Sequence, residues 1–338
     1  MTRIAIIGTG GTISNRGVDP LDAVEYVDRG EVLPVEQALA RFPLLHTLAD
    51  IELIPFGALS SRAIGLEDWI ALRQRVTETL ERTDVEGLVV THGTATLEET
   101  AYFLSLTVPS EKPLVVVGAQ RPATTVGSDA YPNLIAAVRV AASGTATGHG
   151  CLVVMNDRIE SAREVTKRSN HRLDTMGSPG LGPLGWVDPD GTVQLYRRTL
   201  RRHTTSSAFS DGRIWSELRD RPRVDLTLSH SGSDGADVDA YLARGTDGII
   251  VTALAPGVLP PEHERRLLEA RSRGVPLVLA SRAPDGRTLP RPTSPFSTPD
   301  RAVTASDNLS PQSARVLMIA ALAAKVPPAE LQAVFDTH

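Results

Sequence analysis

The stretch Gly87–Leu106, GLVVTHGTATLEETAYFLSL, indicates how this chain folds. It begins with the short apolar run Leu88–Val90, which is typical of a strand covered on both faces of a sheet. A small polar turn follows, and Thr96 with Glu99 three residues later predicts a capping box at the start of a helix. Thr94 is therefore expected between the carboxyl end of a strand and a helix N-terminus, where open α/β sheets bind ligands.

The N-terminal residues repeat this arrangement of strand and polar turn. Arg3–Ile7 is apolar enough to form a first strand, and Gly8–Ile13, GTGGTI, turns out of it. The three glycines of this turn allow positive φ angles and a close approach of the backbone to a ligand. Thr12 thus becomes a second threonine at the carboxyl end of a strand.

Short apolar runs alternate with amphipathic helical patterns along most of the chain. This alternation predicts an α/β fold of right-handed βαβ units around a parallel sheet. We expect a larger N-terminal parallel-sheet domain over 1–200, a polar linker over 201–222 and a smaller C-terminal α/β domain over 223–338. Further strands are predicted at Ile51–Ile54, Leu114–Val117, Leu152–Met155, Val193–Tyr196, Val224–Leu228, Gly248–Val251 and Pro276–Leu279. Helices are predicted at Val35–Phe42, Leu66–Leu80, 97–107, 132–142, Val238–Ala243, Pro261–Arg273, Pro311–Lys325 and Pro328–Phe335.

The composition is that of an ordinary globular protein. Of 338 residues, 41% are hydrophobic and 22% charged, and the net charge is −5, so neither a nucleic acid nor a membrane surface is expected as a partner. The single cysteine, Cys151, excludes an internal disulfide framework. Because no secretory signal precedes the first strand, a cytoplasmic location is expected.

Two polar segments and one histidine each allow either a structural or a functional interpretation. Ser14–Gly30 lacks a sustained period, and we interpret it as a mobile loop of the length that functional loops have. His92 directly follows a buried strand, so a hydrogen-bonded structural imidazole is favoured over a general base. Pro261–Glu264, PEHE, has the composition of a metal site, but its spacing favours an exposed helix face.

Several ordered motifs make the chain resemble the bacterial L-asparaginase and glutaminase family. The resemblance covers most of the chain and is more specific for the fold than for the substrate. The motifs are TGGTI at Thr9–Ile13, THGTxTLEETAYFL at Thr91–Leu104, VVVGAQRP at Val115–Pro122, VVMND at Val153–Asp157, AREVTK at Ala162–Lys167 and GPLGW at Gly182–Trp186.

The resemblance implies a threonine amidohydrolase that acts on a small-molecule amide without a metal or an organic cofactor. In the family, the threonine of GGT attacks the amide, a loop tyrosine assists it, and the threonine of HGT works with the lysine of VTK. These roles are carried onto Thr12, Tyr26, Thr94 and Lys167. Substrate contacts are expected at Gly11, Ser61, Arg62, Gly93, Ala95 and Ala119. The resemblance also implies a homodimer or homotetramer with active sites shared between subunits.

Without the resemblance, the same residues have ordinary structural interpretations. Thr12 and Thr94 would more often be turn and cap residues than nucleophiles. Lys167 alone would more often be an exposed surface charge. Their occurrence together, in the family's order, favours the catalytic interpretation.

The chain departs from the family at the contacts to the substrate's α-ammonium group. The family reads HGTDT, whereas Ala95 replaces the aspartate here, and Ser61-Arg62 stands where the family has a serine and a glutamine. The family's third contact is a glutamate from a neighbouring subunit, but Gly286–Asp300 contains no glutamate. A methyl group and a guanidinium do not bind an ammonium, while Arg62 suits a carboxylate.

Three hypotheses follow from these departures. The first is an amidohydrolase that cleaves a carboxamide or a related acyl bond in a substrate that lacks a free α-amino group or carries a neutral or anionic group there. The second is an ordinary L-asparaginase or glutaminase. The third is a non-catalytic binding protein on the same fold, which the retention of Thr12, Thr94 and Lys167 argues against. With Asp replaced by Ala95 and Arg62 as a cationic neighbour, we expect the pKa of Lys167 to be lowered, which favours a neutral base.

Overall fold

The computed structural model describes residues 1–289 and 303–338. Over these residues the chain divides into two compact units, Met1–Ser206 and Ser207–His338. Each unit is built on parallel strands with helices. The predicted α/β class, with a larger N-terminal and a smaller C-terminal domain, is therefore confirmed.

The larger unit contains the elements that the repeated strand and helix patterns predict, together with several short ones. Its strands are β1 (Arg3–Gly10), β2 (Asn15–Arg16), β3 (Glu31–Val32), β4 (Asp50–Leu59), β5 (Gly87–Thr91), β6 (Leu114–Val117), β7 (Cys151–Met155), β8 (Arg158–Ser161), β9 (Thr166–Lys167), β10 (Met176–Gly177), β11 (Gly185–Val187) and β12 (Val193–Leu195). Its helices are α1 (Tyr26–Arg29), α2 (Val35–Leu39), α3 (Leu66–Leu80), α4 (Leu97–Thr107) and α5 (Ala130–Ala142).

The main sheet of this unit has the order β12-β11-β8-β7-β6-β5-β1-β4. Its strands β4, β1, β5, β6 and β7 are mutually parallel, so their carboxyl ends meet at one edge of the sheet. The remaining strands β8, β11 and β12 pair antiparallel with their neighbours. The first of these reversals, between β7 and β8, is at Asn156 and Asp157, whose φ angles are 53° and 59°. An Asn-Asp pair at positive φ is a tight hairpin turn that the sequence signalled and we did not predict.

Both faces of the sheet are buried, as expected for the central strands. In β1, Ile4 and Ile6 belong to one hydrophobic cluster, with Leu134 of α5, and Ile7 belongs to another, with Leu72 of α3. This alternation follows from the two-residue period of a strand. The helices therefore cover the sheet from both sides and leave the ends of the strands to hold functional groups.

Most helix predictions agree with the structure, and the differences lie at the ends. Helix α3 has the predicted bounds, whereas α5 begins two residues before the predicted 132–142 and α2 ends before Phe42. The predicted capping box at α4 is wrong. The Thr96 hydroxyl donates instead to the carbonyl of Ser61, at 2.8 Å, and so ties the start of α4 to a neighbouring loop.

The smaller unit contains a four-stranded parallel sheet, in the order β13-β14-β15-β16. Its elements are α6 (Gly212–Ser216), β13 (Val224–Leu228), α7 (Ala236–Ala243), β14 (Gly248–Ala253), α8 (Pro261–Ser272), β15 (Leu277–Ser281), β16 (Thr304–Ala305), α9 (Pro311–Ala323) and α10 (Leu331–Thr337). The segment predicted as a polar linker contains α6, and its aromatic residues Phe209 and Trp215 are buried.

The interpretation of PEHE as an exposed helix face is wrong for its histidine. His263, on α8, is 0% exposed, and its ring nitrogens lie 3.0 Å from the Thr227 hydroxyl and 3.1 Å from the Ser229 hydroxyl. Burial is the main cause that lowers its pKa. These contacts are those of a hydrogen-bonded core histidine, because its polar atoms are satisfied by neighbouring hydroxyl groups.

Candidate active site

The turn after β1 is held in a conformation that glycine alone adopts readily. Gly11 has φ 82° and ψ −178°, in a region that residues with a Cβ avoid. A Cβ at Gly11 would lie 2.3 Å from the backbone nitrogen of Gly93, so the turn after β1 touches the turn after β5. Thr12, directly after Gly11, is 8% exposed.

The turn after β5 also contacts the loop after β4. A Cβ at Gly93 would lie 2.5 Å from the Oγ atom of Ser61. The predicted contact residues Gly11, Gly93 and Ser61 therefore lie against one another. Their packing brings three loops together at the carboxyl edge of the sheet.

Thr12 contacts the predicted loop tyrosine. Its Oγ1 atom lies 3.1 Å from the hydroxyl of Tyr26, and either group can be the donor. Burial raises the pKa of Tyr26, and the hydrogen bond to Thr12 opposes this shift. The phenol is therefore neutral near pH 7 and can both donate to and accept from Thr12.

The segment that carries Tyr26 has more structure than the predicted mobile loop. Strand β2 pairs with β3, and Tyr26 begins α1. The Asp22 carboxylate accepts hydrogen bonds from the backbone nitrogens of Val18, Val24 and Glu25. The Thr125 hydroxyl donates to the Asp22 carbonyl at 2.7 Å, so a second loop of the same unit supports the segment.

Thr94 and Lys167 form the second predicted pair. The Nζ atom of Lys167 donates to the Thr94 Oγ1 atom at 2.7 Å, and Thr94 is 6% exposed. Lys167 lies on β9, which pairs with β10. Burial lowers the pKa of Lys167, and the negative charge of Glu98 opposes this shift.

The direction of the Lys167 shift is confirmed, but its expected cause is wrong. Burial, rather than a cationic neighbour, lowers the pKa, and a carboxylate remains close to the lysine despite Ala95. Arg62 does not act on Lys167, since its guanidinium pairs with Asp28 at 3.3 Å and is largely exposed.

Glu98 is a residue of the site that we did not predict. It lies in the first turn of α4, is 5% exposed, and accepts a hydrogen bond from the backbone nitrogen of Lys167 at 2.8 Å. Burial raises the pKa of Glu98, while bonds from Thr166 and Lys167 oppose the shift. Two glutamates, Glu98 and Glu99, lie in this turn, so the sequence alone did not indicate which of them is buried beside Lys167.

Gln120 is the second residue that we did not predict. Its Oε1 atom lies 3.5 Å from both the Thr94 Oγ1 atom and the Lys167 Nζ atom. It follows Ala119, which is 0% exposed and belongs to a hydrophobic core cluster of the larger unit. In the sequence Gln120 is one polar residue of the motif GAQRP, three residues after the end of β6, and nothing there indicates its contacts with Thr94 and Lys167.

His92 agrees with the structural interpretation. It is 0% exposed, and its Nδ1 atom lies 2.9 Å from the Gly93 carbonyl. Burial lowers the pKa of His92 to about 4, and the bond to Gly93 opposes this shift. The imidazole is thus neutral at pH 7 and contacts the backbone of the turn that carries Thr94.

The side chain of Ala95 is exposed and adds no polar atom to the site. Residues 290–302 lie outside the described residues, so most of the glutamate-free segment Gly286–Asp300 has no structural account. The site thus contains two pairs, Thr12 with Tyr26 and Thr94 with Lys167, and the turns that carry the two threonines touch. The side chain of residue 95 supplies no ligand for an ammonium.

Comparison with known protein families identifies the family to which the chain belongs. Residues 3–201 match the family described as "Asparaginase, N-terminal", and residues 223–335 match the "Glutaminase/Asparaginase C-terminal domain". The chain belongs to the asparaginase family of amidohydrolases. The resemblance drawn from its motifs is therefore confirmed.

Similar members of the asparaginase family span the whole chain. "L-asparaginase 2" of Bacillus subtilis (strain 168) is 35% identical over 338 residues, which cover 100% of this chain and 87% of that protein. "Glutaminase-asparaginase" of Pseudomonas fluorescens biotype A is 34% identical, with 99% of this chain and 90% of that protein covered. The crystal structure of "Probable Cytoplasmic L-asparaginase" from Campylobacter jejuni matches with a TM-score of 0.93 at 33% identity and covers 100% of both chains.

None of the helices within 1–289 and 303–338 combines the length and apolar character that a membrane crossing requires.

We expect Gly11→Ala to cost about 2–4 kcal/mol of the free energy of unfolding, because the new Cβ adds backbone strain and a clash with Gly93. Denaturant unfolding of the purified variant measures this cost. Gly144→Ala is the control, because Gly144 is exposed and a Cβ there meets no atom within 4 Å. Equal stability of the two variants would contradict the close approach of the two turns.

Proposed function

We propose that the chain hydrolyses a carboxamide through an acyl-enzyme on Thr12, with Tyr26, Thr94 and Lys167 as the other catalytic residues. The observation that carries the proposal is the 2.7 Å bond between Lys167 Nζ and Thr94 Oγ1, on a turn that touches the one bearing Thr12. A threonine hydroxyl is a poor nucleophile at pH 7 and needs such acid–base groups beside it.

The first half of the reaction forms an ester and releases ammonia. The Thr12 oxygen attacks the amide carbon and gives its proton to the Tyr26 hydroxyl, 3.1 Å away, while Tyr26 passes its own proton to the amide nitrogen. The tetrahedral intermediate then expels the amide nitrogen, which leaves with this proton as ammonia. The C–N bond breaks while the C–O bond to Thr12 remains.

The second half of the reaction uses the other pair. A water molecule passes a proton through the Thr94 hydroxyl to neutral Lys167 and attacks the threonyl ester. Thr12 leaves with the proton that Lys167 took up, and the free carboxylic acid is released, so both residues return to their starting protonation states. The lowered pKa of Lys167 supports this role, since it favours the neutral form that accepts a proton.

For the substrate, we propose an amide without a free α-amino group. Ala95 offers no acceptor to an ammonium. The guanidinium of Arg62 lies on a loop that contacts the Gly93 turn, and it can exchange its exposed partner Asp28 for a substrate carboxylate. Because exposed ion pairs contribute little energy, this exchange costs little.

An ordinary L-asparaginase or glutaminase activity is the second candidate. The printed names of relatives that are 33–35% identical favour it. Glu98 favours it as well, because a carboxylate beside Lys167 keeps negative charge near the site. A non-catalytic binding protein is disfavoured, since binding alone needs neither the Thr12–Tyr26 pair nor the Thr94–Lys167 pair.

The remaining features are also proposals. We propose a homodimer or homotetramer with shared active sites, and a reaction that needs no metal or organic cofactor. A cytoplasmic location stays a prediction, because the names of similar proteins include both a cytoplasmic and a periplasmic asparaginase.

A panel of four amides separates the two candidate functions. We expect the purified protein to release ammonia from succinamic acid and N-acetyl-L-asparagine at least tenfold faster, by kcat/KM, than from L-asparagine and L-glutamine, a ratio worth about 1.4 kcal/mol. An enzyme-coupled ammonia assay measures all four. A preference for L-asparagine would reject the des-amino substrate and leave the ordinary activity.

Two substitutions test the catalytic residues. We expect Thr12→Ala to lower kcat by a factor on the order of 10⁴ or more, because the nucleophile is lost. Lys167→Met is expected to lower kcat by about 10²–10⁴, the usual contribution of a general base. Lys325→Met serves as the matched control, since Lys325 is exposed in the smaller unit. Undiminished turnover by Lys167→Met would contradict the proposal.

The pH profile tests the electrostatic control of Lys167. Because the neutral amine is the base, kcat/KM should rise as the pH approaches the pKa of Lys167 from below. Glu98 raises that pKa, so Glu98→Gln should move the rising limb to lower pH by roughly one unit. Glu78→Gln, on the exposed side of α3, should leave the limb in place. A limb that stays in place in Glu98→Gln, or moves to higher pH, would contradict this role.

A further inference from the structure

Gln120 carries a buried amide donor beside the Thr94–Lys167 pair. The residue is 7% exposed, and its Nε2 atom has no hydrogen-bond partner within residues 1–289 and 303–338. Buried amide groups are nearly always paired, because an unpaired donor loses its bonds to water without replacement. A donor left unpaired beside catalytic groups is therefore one that a ligand can satisfy.

The amide is oriented by its contacts to the catalytic pair. Its Oε1 atom lies 3.5 Å from the Lys167 Nζ atom and from the Thr94 Oγ1 atom. The lysine is a donor, so the oxygen of the amide faces it and the nitrogen is turned away. These distances are at the long end of hydrogen-bond geometry, as is common before a substrate is bound.

The backbone of Gln120 is held firmly in place. Its nitrogen donates to both carboxylate oxygens of Asp129, each at 3.0 Å. Asn133 donates to the Asp129 Oδ2 atom and to the Gly118 carbonyl, also at 3.0 Å. A Cβ at Gly118 would lie 2.9 Å from the Thr94 Cγ2 atom, so the Gln120 loop packs against the Thr94 turn. The donor is thus positioned before the substrate arrives.

We propose that Gln120 is a specificity-determining residue whose amide hydrogen binds an oxygen atom of the substrate. The proposal rests on the function proposed above and names its substrate class. The class is a monoamide of a dicarboxylic acid that carries a hydroxyl or carbonyl oxygen on the carbon where L-asparagine has its ammonium. An amide N–H attracts such an oxygen and repels an ammonium, which has only donors.

Gln120→Met separates a binding role from a structural one. Methionine has a similar length and no polar donor, so the variant removes an unsatisfied group from the interior. We expect the melting temperature to stay equal or rise, and kcat/KM on the best amide substrate to fall about tenfold, mainly through KM. The matched control is Gln74→Met on the exposed face of α3. An unchanged kcat/KM would overturn the proposal.

Gln120→Glu tests the chemical class of the ligand. The substitution keeps the shape of the side chain and replaces the donor by a negatively charged acceptor. We compare 2-hydroxysuccinamic acid with L-asparagine, which differ only by hydroxyl and ammonium at one carbon. The ratio of kcat/KM for the hydroxy compound to that for L-asparagine should fall at least tenfold relative to the original protein.

The ratio also distinguishes this proposal from the one on which it rests. Any effect of the new carboxylate on Lys167 acts on both substrates and cancels in the ratio. If the original protein prefers L-asparagine in the four-amide assay, the proposed activity on a substrate without a free α-amino group is rejected. If the original protein prefers the hydroxy compound and Gln120→Glu leaves the ratio unchanged, the specificity role of Gln120 fails while the function stands.

Discussion

The close approach of Gly11 to Gly93 is the constraint on which the site depends. It requires a backbone conformation that residues with a side chain avoid, and it leaves no room for a Cβ on Gly11. Since both glycines directly precede a threonine, this contact sets where Thr12 and Thr94 stand relative to each other. The parallel strands β1 and β5 supply the frame, because their ends lie at the same edge of the sheet.

Two opposing electrostatic effects act on Lys167. Burial disfavours its charged form, whereas Glu98 stabilises that form. Glu98 also accepts a hydrogen bond from the backbone of Lys167, so the same carboxylate positions the strand and tunes the amine. A lysine held between these effects can change its protonation state during a reaction, which a fully exposed lysine near pH 7 does not do.

The positions of Thr12 and Thr94 were predictable from the sequence, whereas the places of Glu98 and Gln120 beside Lys167 were not. Thr12 and Thr94 follow from local patterns, because a strand, a glycine turn and a helix start are encoded by neighbouring residues. Glu98 and Gln120 became recognisable only in the structure, since their partners on β9 are 69 and 47 residues away in the chain. The pairing of Arg62 with Asp28 likewise depends on tertiary structure, and it changed the expected cause of the Lys167 shift.

Acylation of Thr12 is the step on which the proposed reaction depends. Rapid acid quenching of the enzyme during turnover of succinamic acid, followed by peptide mass spectrometry, tests it most directly. We expect a succinyl adduct on the peptide Ile4–Arg16, with fragment ions that assign it to Thr12 rather than Thr9. An adduct on Thr94, or steady turnover without an adduct on that peptide under conditions that trap esters, would contradict it.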